Sequence, residues 1–136
     1  MKKIIAILMT LTLLLGLVAC GGSGSNSDAK KVAAYVDENR SVLLSTMEQS
    51  FAGSSGMTCP SSLEAEGCGI VIDININELS GVDANTKAQL QAAYDSMGDA
   101  WDAMFDELKK ELPEVEYLVI NVNEKDGTNL ASIRAD

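Results

Sequence analysis

Histidine is missing from this chain altogether, which removes the commonest zinc ligand and the commonest general base near neutral pH. Basic residues are scarce, with 10 Lys and Arg against 20 Asp and Glu and a formal charge of −10. Nucleic acid binding needs Lys and Arg clusters that neutralise phosphates, so that class is excluded. So much acid also argues against a domain lying flat on anionic lipid, and solubility explains the acidity. No paired catalytic carboxylates, Gly-rich phosphate loop, Ser-Gly elbow or cluster of metal ligands appears. An enzyme therefore has no residue evidence, no metal or cofactor is implied, and the reading leans away from catalysis.

What the chain does have begins at its start. Lys2 and Lys3 precede an apolar run from Ile4 to about Leu15, and the segment ends Leu17-Val18-Ala19-Cys20. The run is shorter than the ~20 residues a membrane span needs. Its charge, length and small residues before a cysteine resemble the signal peptide and lipobox of bacterial lipoproteins. That resemblance implies a diacylglyceryl group on Cys20, cleavage between Ala19 and Cys20, and anchoring of the chain to the bilayer from outside the cytoplasmic membrane. Residues 1–19 are then signal peptide. Residues 20–29 are a lipidated cysteine with a flexible Gly/Ser tether, and residues 30–136 form one small domain.

Helical periodicity starts soon after Asp28. Val32, Tyr35, Val36, Leu43, Met47, Ser50 and Phe51 recur at three- and four-residue steps. A helix over about 30–52 follows, capped by Ser27 or Asp28 and closed by Gly53. Leu90, Tyr94, Met97, Trp101, Met104, Phe105, Leu108 and Leu112 mark a second helix over 84–112. Asp83 starts it, Pro113 stops it, and a bend is expected near Gly98. Core packing is the reading of Trp101, Tyr94 and Phe105.

A hairpin is expected after each helix. Ile70, Ile72, Ile74 and Ile76 alternate with Val71, Asp73, Asn75 and Asn77, the pattern of a half-buried strand. Strands over 57–64 and 68–77 flank Ala65-Glu66-Gly67, with either a two-residue turn at Glu66-Gly67 or a longer loop across Ser61–Gly67. Strands over 116–123 and 128–135 flank Asp126-Gly127, which pairs Val122 with Ala131 and Ile120 with Ile133. The expected fold is α+β in the order α-β-β-α-β-β. It has a four-stranded antiparallel sheet with two long helices on one face and the other face open.

Candidate sites follow from that register. The open face carries Thr58, Ser62, Asp73, Asn75 and Asn77 from one hairpin and Asn121, Asn123 and Ser132 from the other, beside Tyr117, Val119 and Leu130. Asparagines next to an aromatic ring can hold a polar ligand, because each amide both donates and accepts; a plain solvated surface is the competing explanation. Cys59 and Cys68 are either two free thiols or a disulfide, depending on the length of the turn between them. The run Asp73 to Glu78 fails as a calcium loop, since Glu78 and Ala84 stand where Gly and Glu are required.

The segments Tyr35-Val36, Met47 to Phe51, Ser55 to Cys59, Ile74 to Leu79 and Leu112-Pro113-Glu114 resemble a family of small Firmicutes lipoproteins, classed as a domain of unknown function. The resemblance runs from about Ala34 to the end. It implies a Gram-positive envelope lipoprotein and brings no activity, cofactor or catalytic residue. Three functions remain open for such a chain: a binding module for an envelope protein, peptide or glycan; an enzyme or accessory subunit acting on envelope material; and a structural lipoprotein.

Overall fold

A computed structural model describes residues 25–136, apart from the side chains of residues 25, 26, 50, 51, 54 and 55. Ala19, Cys20 and the beginning of the tether lie outside the described residues, as do the side chains of Ser50 and Phe51. The order is α1 (Ser25–Ser55), β1 (Ser61–Glu66), β2 (Gly69–Ile76), α2 (Ala84–Asp95), α3 (Gly98–Glu111), β3 (Tyr117–Glu124) and β4 (Asn129–Ala135). The α+β class is the one expected.

α1 buries Val32, Val36, Leu43 and Met47, and its other sides are mostly polar. The helix runs through Ser27 and Asp28, so neither caps it, and residues 25–29 are helical although their composition reads as tether. It closes at Gly56 instead of Gly53. There a φ of 69° suits glycine, and the Gly56 N–H donates to the Ala52 carbonyl at 3.0 Å.

The second long helix is two helices. Asp83 caps α2 by accepting from the N–H groups of Asn85 and Thr86. The bend expected near Gly98 is a full break at Ser96–Met97. Its exposed carbonyls are answered locally: Tyr94 O accepts from Met97 N–H at 3.0 Å and from the Trp101 indole at 3.2 Å, while Ser96 Oγ donates to Ala93 O. Tyr94, Trp101, Met104, Phe105 and Leu108 are buried, as their spacing predicts.

The sheet order is β1-β2-β3-β4, and here the expectation needs correcting. The outer pairs are antiparallel but β2 and β3 are parallel, so the sheet is mixed. Residues 77–116, carrying α2 and α3, cross back to the starting end of β2. A parallel pair requires such a crossover. The core face holds Leu63, the four isoleucines of β2, Leu118, Ile120, Val122, Ala131, Ile133 and Ala135, all in one cluster with the helices.

Turn chemistry sets both hairpin registers. In the first, Leu63 faces Ile72 and Ser61 faces Ile74, so the two-residue turn is Gly67-Cys68 and not Glu66-Gly67. Gly67 has a φ of 60°, which that turn needs. The two-residue shift keeps every side chain on its expected face, because strand alternation has period two. It places Cys59 and Cys68 at opposite ends of the hairpin, roughly 25 Å apart along the strands. Both are free thiols, Cys59 buried and Cys68 half-buried in the turn, which removes the disulfide alternative.

In the second hairpin the expected pairs Val122 with Ala131 and Ile120 with Ile133 are present. The turn is one residue longer than expected, with Glu124 N–H donating to Thr128 O, and a bulge at Leu130 restores the register. The bulge also turns Leu130 into the core, so it leaves the open face where simple alternation puts it.

Side chains from the helices bond to both sheet edges. On β1, Glu48 accepts from Ser61 N–H at 3.2 Å and Arg40 donates to Leu63 O at 2.9 Å. On β4, the Gln91 carboxamide accepts from Ser132 N–H at 2.9 Å and donates to Ser132 O at 2.8 Å. Each plug shortens the stretch of edge that is open to strands from other chains.

Gly69 is the tightest point on the open face. Its strand partner Tyr117 lies flat across it, and a β-carbon there would fall inside the tyrosine ring. Gly69→Ala is expected to cost about 1–3 kcal/mol in denaturant unfolding, the range for overpacked sites. In a Tyr117→Ala background the same change should cost far less. Equal costs in both backgrounds would refute the contact.

Candidate functional site

The open face forms four rows across the strands, fixed by the registers of all three pairs. Gly69 and Tyr117 form the first, with Tyr117 Oη donating to Glu66 O at 2.9 Å. Val71 and Val119 form the second, half-buried, with Glu64 and Arg134 at its ends. The Arg134 guanidinium stacks 4.4 Å from the Tyr117 ring centre, a cation–π contact. Ser62, Asp73, Asn121 and Ser132 make the third row, and Asn75, Asn123 and Asn129 the fourth.

The polar rows are joined side chain to side chain. Ser132 Oγ donates to Asn121 Oδ1 at 2.8 Å, and Asn121 Nδ2 donates to Asp73 Oδ1 at 2.9 Å. Beside them Asn129 Nδ2 donates to Asn123 Oδ1 and Asn123 Nδ2 to Asn75 Oδ1, both at 3.1 Å. All four bonds point from β4 toward β2, so the amide dipoles are aligned. Each of Asn121 and Asn123 spends one N–H and one oxygen lone pair on its neighbours and keeps a second of each.

The expected open-face residues are therefore brought together, except Leu130, which enters the core, and Thr58 and Asn77. Asp73, Asn75, Asn121 and Asn123 form the ladder, and Tyr117 sits two rows away on the same face. Asn77 lies past the end of β2, where it donates to Thr58 Oγ1 at 3.3 Å and belongs to a separate knot. In that knot Glu78 accepts from Thr58 N–H and, at 2.7 Å, from Thr58 Oγ1, which hold its carboxyl below the usual range.

An apolar hollow of about 390 Å3 lies beside the knot, lined by Ala52, Thr58, Cys59, Pro60 and Asn77 among others. Burial pushes the Cys59 thiol up to about 11, which keeps it protonated and unreactive near neutral pH. Among the described residues no group of three or more Asp, Glu or Cys could hold a metal ion, and no helix is long and apolar enough to cross a membrane.

Sequence reasoning missed Glu124, a carboxylate only 3 % exposed at the end of β3. It accepts from Gly81 N–H, from Val82 N–H at 3.2 Å and from Lys87 Nζ at 3.0 Å. The neighbouring Lys125 N–H donates to Leu79 O at 3.0 Å. Together these bonds fasten the start of the crossover to the far end of the sheet. A signal was present: Glu124 continues the core-face series Leu118, Ile120, Val122, where a carboxylate demands partners.

With this geometry in hand, the chain belongs to the class of α+β domains built on a four-stranded mixed sheet. Comparison with protein-family models, curated proteins and solved structures finds no match to it.

Five carboxylates are held below their ordinary range by local bonds. Glu124 owes this first to Lys87, Glu114 to Lys31, Glu78 and Asp126 to the backbone N–H groups of Thr58 and Thr128, and Asp83 to the Thr86 hydroxyl. A carboxyl with a depressed folded-state value contributes stability above its unfolded value and loses it as pH falls through the folded one. Denaturant midpoints should therefore hold level from pH 7 to about 5 and decline below about 4.5. Glu124→Gln should lower the midpoint at pH 7 and flatten that decline. A midpoint that rises on acidification would contradict the assignment.

Proposed function

We propose that this chain is a lipid-anchored lipoprotein on the extracytoplasmic face of a bacterial membrane, and that its folded domain is a small binding module. The anchor is an acyl group on Cys20, and the module presents its open sheet face to a polar envelope partner, a glycan, peptide or protein. The observation that carries the second half is the amide ladder. Asn121 and Asn123 are held in place by bonds on both sides, and Asn75 and Asp73 by one each. A ligand meeting them loses little side-chain freedom in forming its bonds, the largest avoidable cost of polar recognition.

Tyr117, Val71 and Val119 add an apolar strip next to the amides, the usual mix of a site that orients a ligand by a few polar groups. Catalysis draws less support from the same residues. The Asp73 carboxylate is engaged by Asn121 and the Glu78 carboxylate by the Thr58 N–H and hydroxyl, while burial keeps the nearby Cys59 thiol protonated.

Two measurements test the proposal. Cys20→Ala should release the protein from the membrane fraction while the fold stays intact; retention of that variant with its leader cleaved would defeat the anchor. Crosslinking on native membranes should capture partners that disappear when Asn75, Asn121 and Asn123 are all changed to Ala. An unchanged set of partners would defeat the sheet-face assignment.

A further inference from the structure

β4 is an edge strand, and one rung of its outer side is taken up by a side chain acting as a peptide bond. Gln91 gives its amide N–H to Ser132 O and takes the Ser132 N–H, as an added strand would. Ser132 therefore turns its main-chain groups outward, and by strand alternation so does Arg134 two residues later. Arg134 faces Val119 on β3 as a pair that shares no ladder bonds, and β4 has no strand on its other side. Among the described residues nothing meets the outward N–H and C=O of Arg134.

Beside this open rung is a cavity of about 230 Å3, walled by residues 132–134 on one side and by Tyr94, Gly98 and Trp101 on the other. It exists because α2 and α3 break there. Its size suits one or two side chains, below the ~300 Å3 at which drug-sized sites begin. Asp95 and Asp102 stand exposed on its rim. The one cation in its wall is turned aside: the Arg134 guanidinium lies over Tyr117 on the open face and is held by Asp136 at 3.0 Å. The rim is thus acidic beside an open backbone donor and acceptor.

We propose that this edge takes a short extended peptide in which one residue adds a rung to β4 at Arg134 and the next, a lysine or arginine turned by alternation to the helix side, sets its basic side chain between Asp95 and Asp102. The backbone pair gives register, and the aspartates choose the charge of the side chain. The site is distinct from the amide ladder and stands or falls without it.

Trp101 is the sole tryptophan of the chain and lies in the cavity wall, so its emission reports occupancy directly. The full chain in detergent is titrated with acetyl-Thr-Lys-Thr-amide, the corresponding glutamate peptide, and the lysine peptide N-methylated at its first threonine, the rung residue. The lysine peptide should give a saturating change, with both others weaker by roughly tenfold or more. Arg134→Ala keeps the backbone and should keep binding. Arg134→Pro goes beyond the alanine variant by losing the outward N–H, at a position where an edge strand accepts proline, and should lose binding. Asp95→Asn with Asp102→Asn should abolish the preference for lysine. Should the proline variant not fold, the N-methylated peptide tests the same bond. No emission change up to millimolar peptide, or equal binding of the glutamate or N-methylated peptide, would overturn the proposal.

Discussion

The parallel pairing of β2 with β3 is the constraint from which the rest of the molecule follows. Ile70, Ile72 and Ile74 face Leu118, Ile120 and Val122 along the middle of the sheet, all nearly without exposure. Strands that lie side by side in one direction cannot be joined by a turn, so the chain has to travel back the length of the sheet. α2 and α3 make that journey and bring Tyr94, Trp101, Phe105 and Leu108 over the aliphatic face. Glu124 fixes its beginning, where two backbone N–H groups and Lys87 converge on one carboxylate. At its end the Glu116 N–H donates to Cys68 O at 2.8 Å, and Lys31 holds Glu114 at 2.6 Å. The crossover is thus fastened at both ends by groups that reach far along the chain.

With the helices spent on one face, the second face has only its own side chains. Its strands answer by bonding polar groups to one another in place of water. Side chain to side chain bonds are a minority of protein hydrogen bonds, so four of them between adjacent strands is a concentration. The bulge at Leu130 makes part of this geometry, since it turns Leu130 inward and leaves Asn129 to bond Asn123. Edges, core and open face are therefore one solution: helical side chains end the sheet laterally while strand side chains knit it across.

Much of this was legible in the sequence because it is local. Period-two alternation located the isoleucine strand and its faces, three- and four-residue spacing located the helices, and Asp83 and Pro113 bounded the second of them. Face assignments survived even where the first hairpin slipped by two residues, because alternation is blind to even shifts. Relations between hairpins were not legible. Each hairpin pattern is the same whether its neighbour runs parallel or antiparallel, so the polarity of β2 against β3 had no local signature. The disulfide question turned on whether Glu66-Gly67 or Gly67-Cys68 forms the turn, and both contain a glycine. Of the site, the residue types and their face could be read, while the bonds among Asp73, Asn121, Asn123 and Asn129 depend on cross-strand register. Gln91 and Arg40 act on edges that exist only once the sheet is assembled.

α1 also works as a pointer. Its 31 residues extend about 45 Å at the usual helical rise, and it is packed along β1 in the opposite sense. Asp28 near its start acts on Cys68 in the first hairpin turn, Arg40 reaches Leu63, and Glu48 reaches Ser61. The register of the sheet then gives the two ends of the open face different headings. Gly69 and Tyr117 lie toward the start of α1, and the two amide rows lie toward its far end. Under the proposed anchor at Cys20, five positions ahead of Ser25, the tyrosine row would look down at the bilayer. The amides, with the turn at Gly127 above them, would then look outward, away from the anchor.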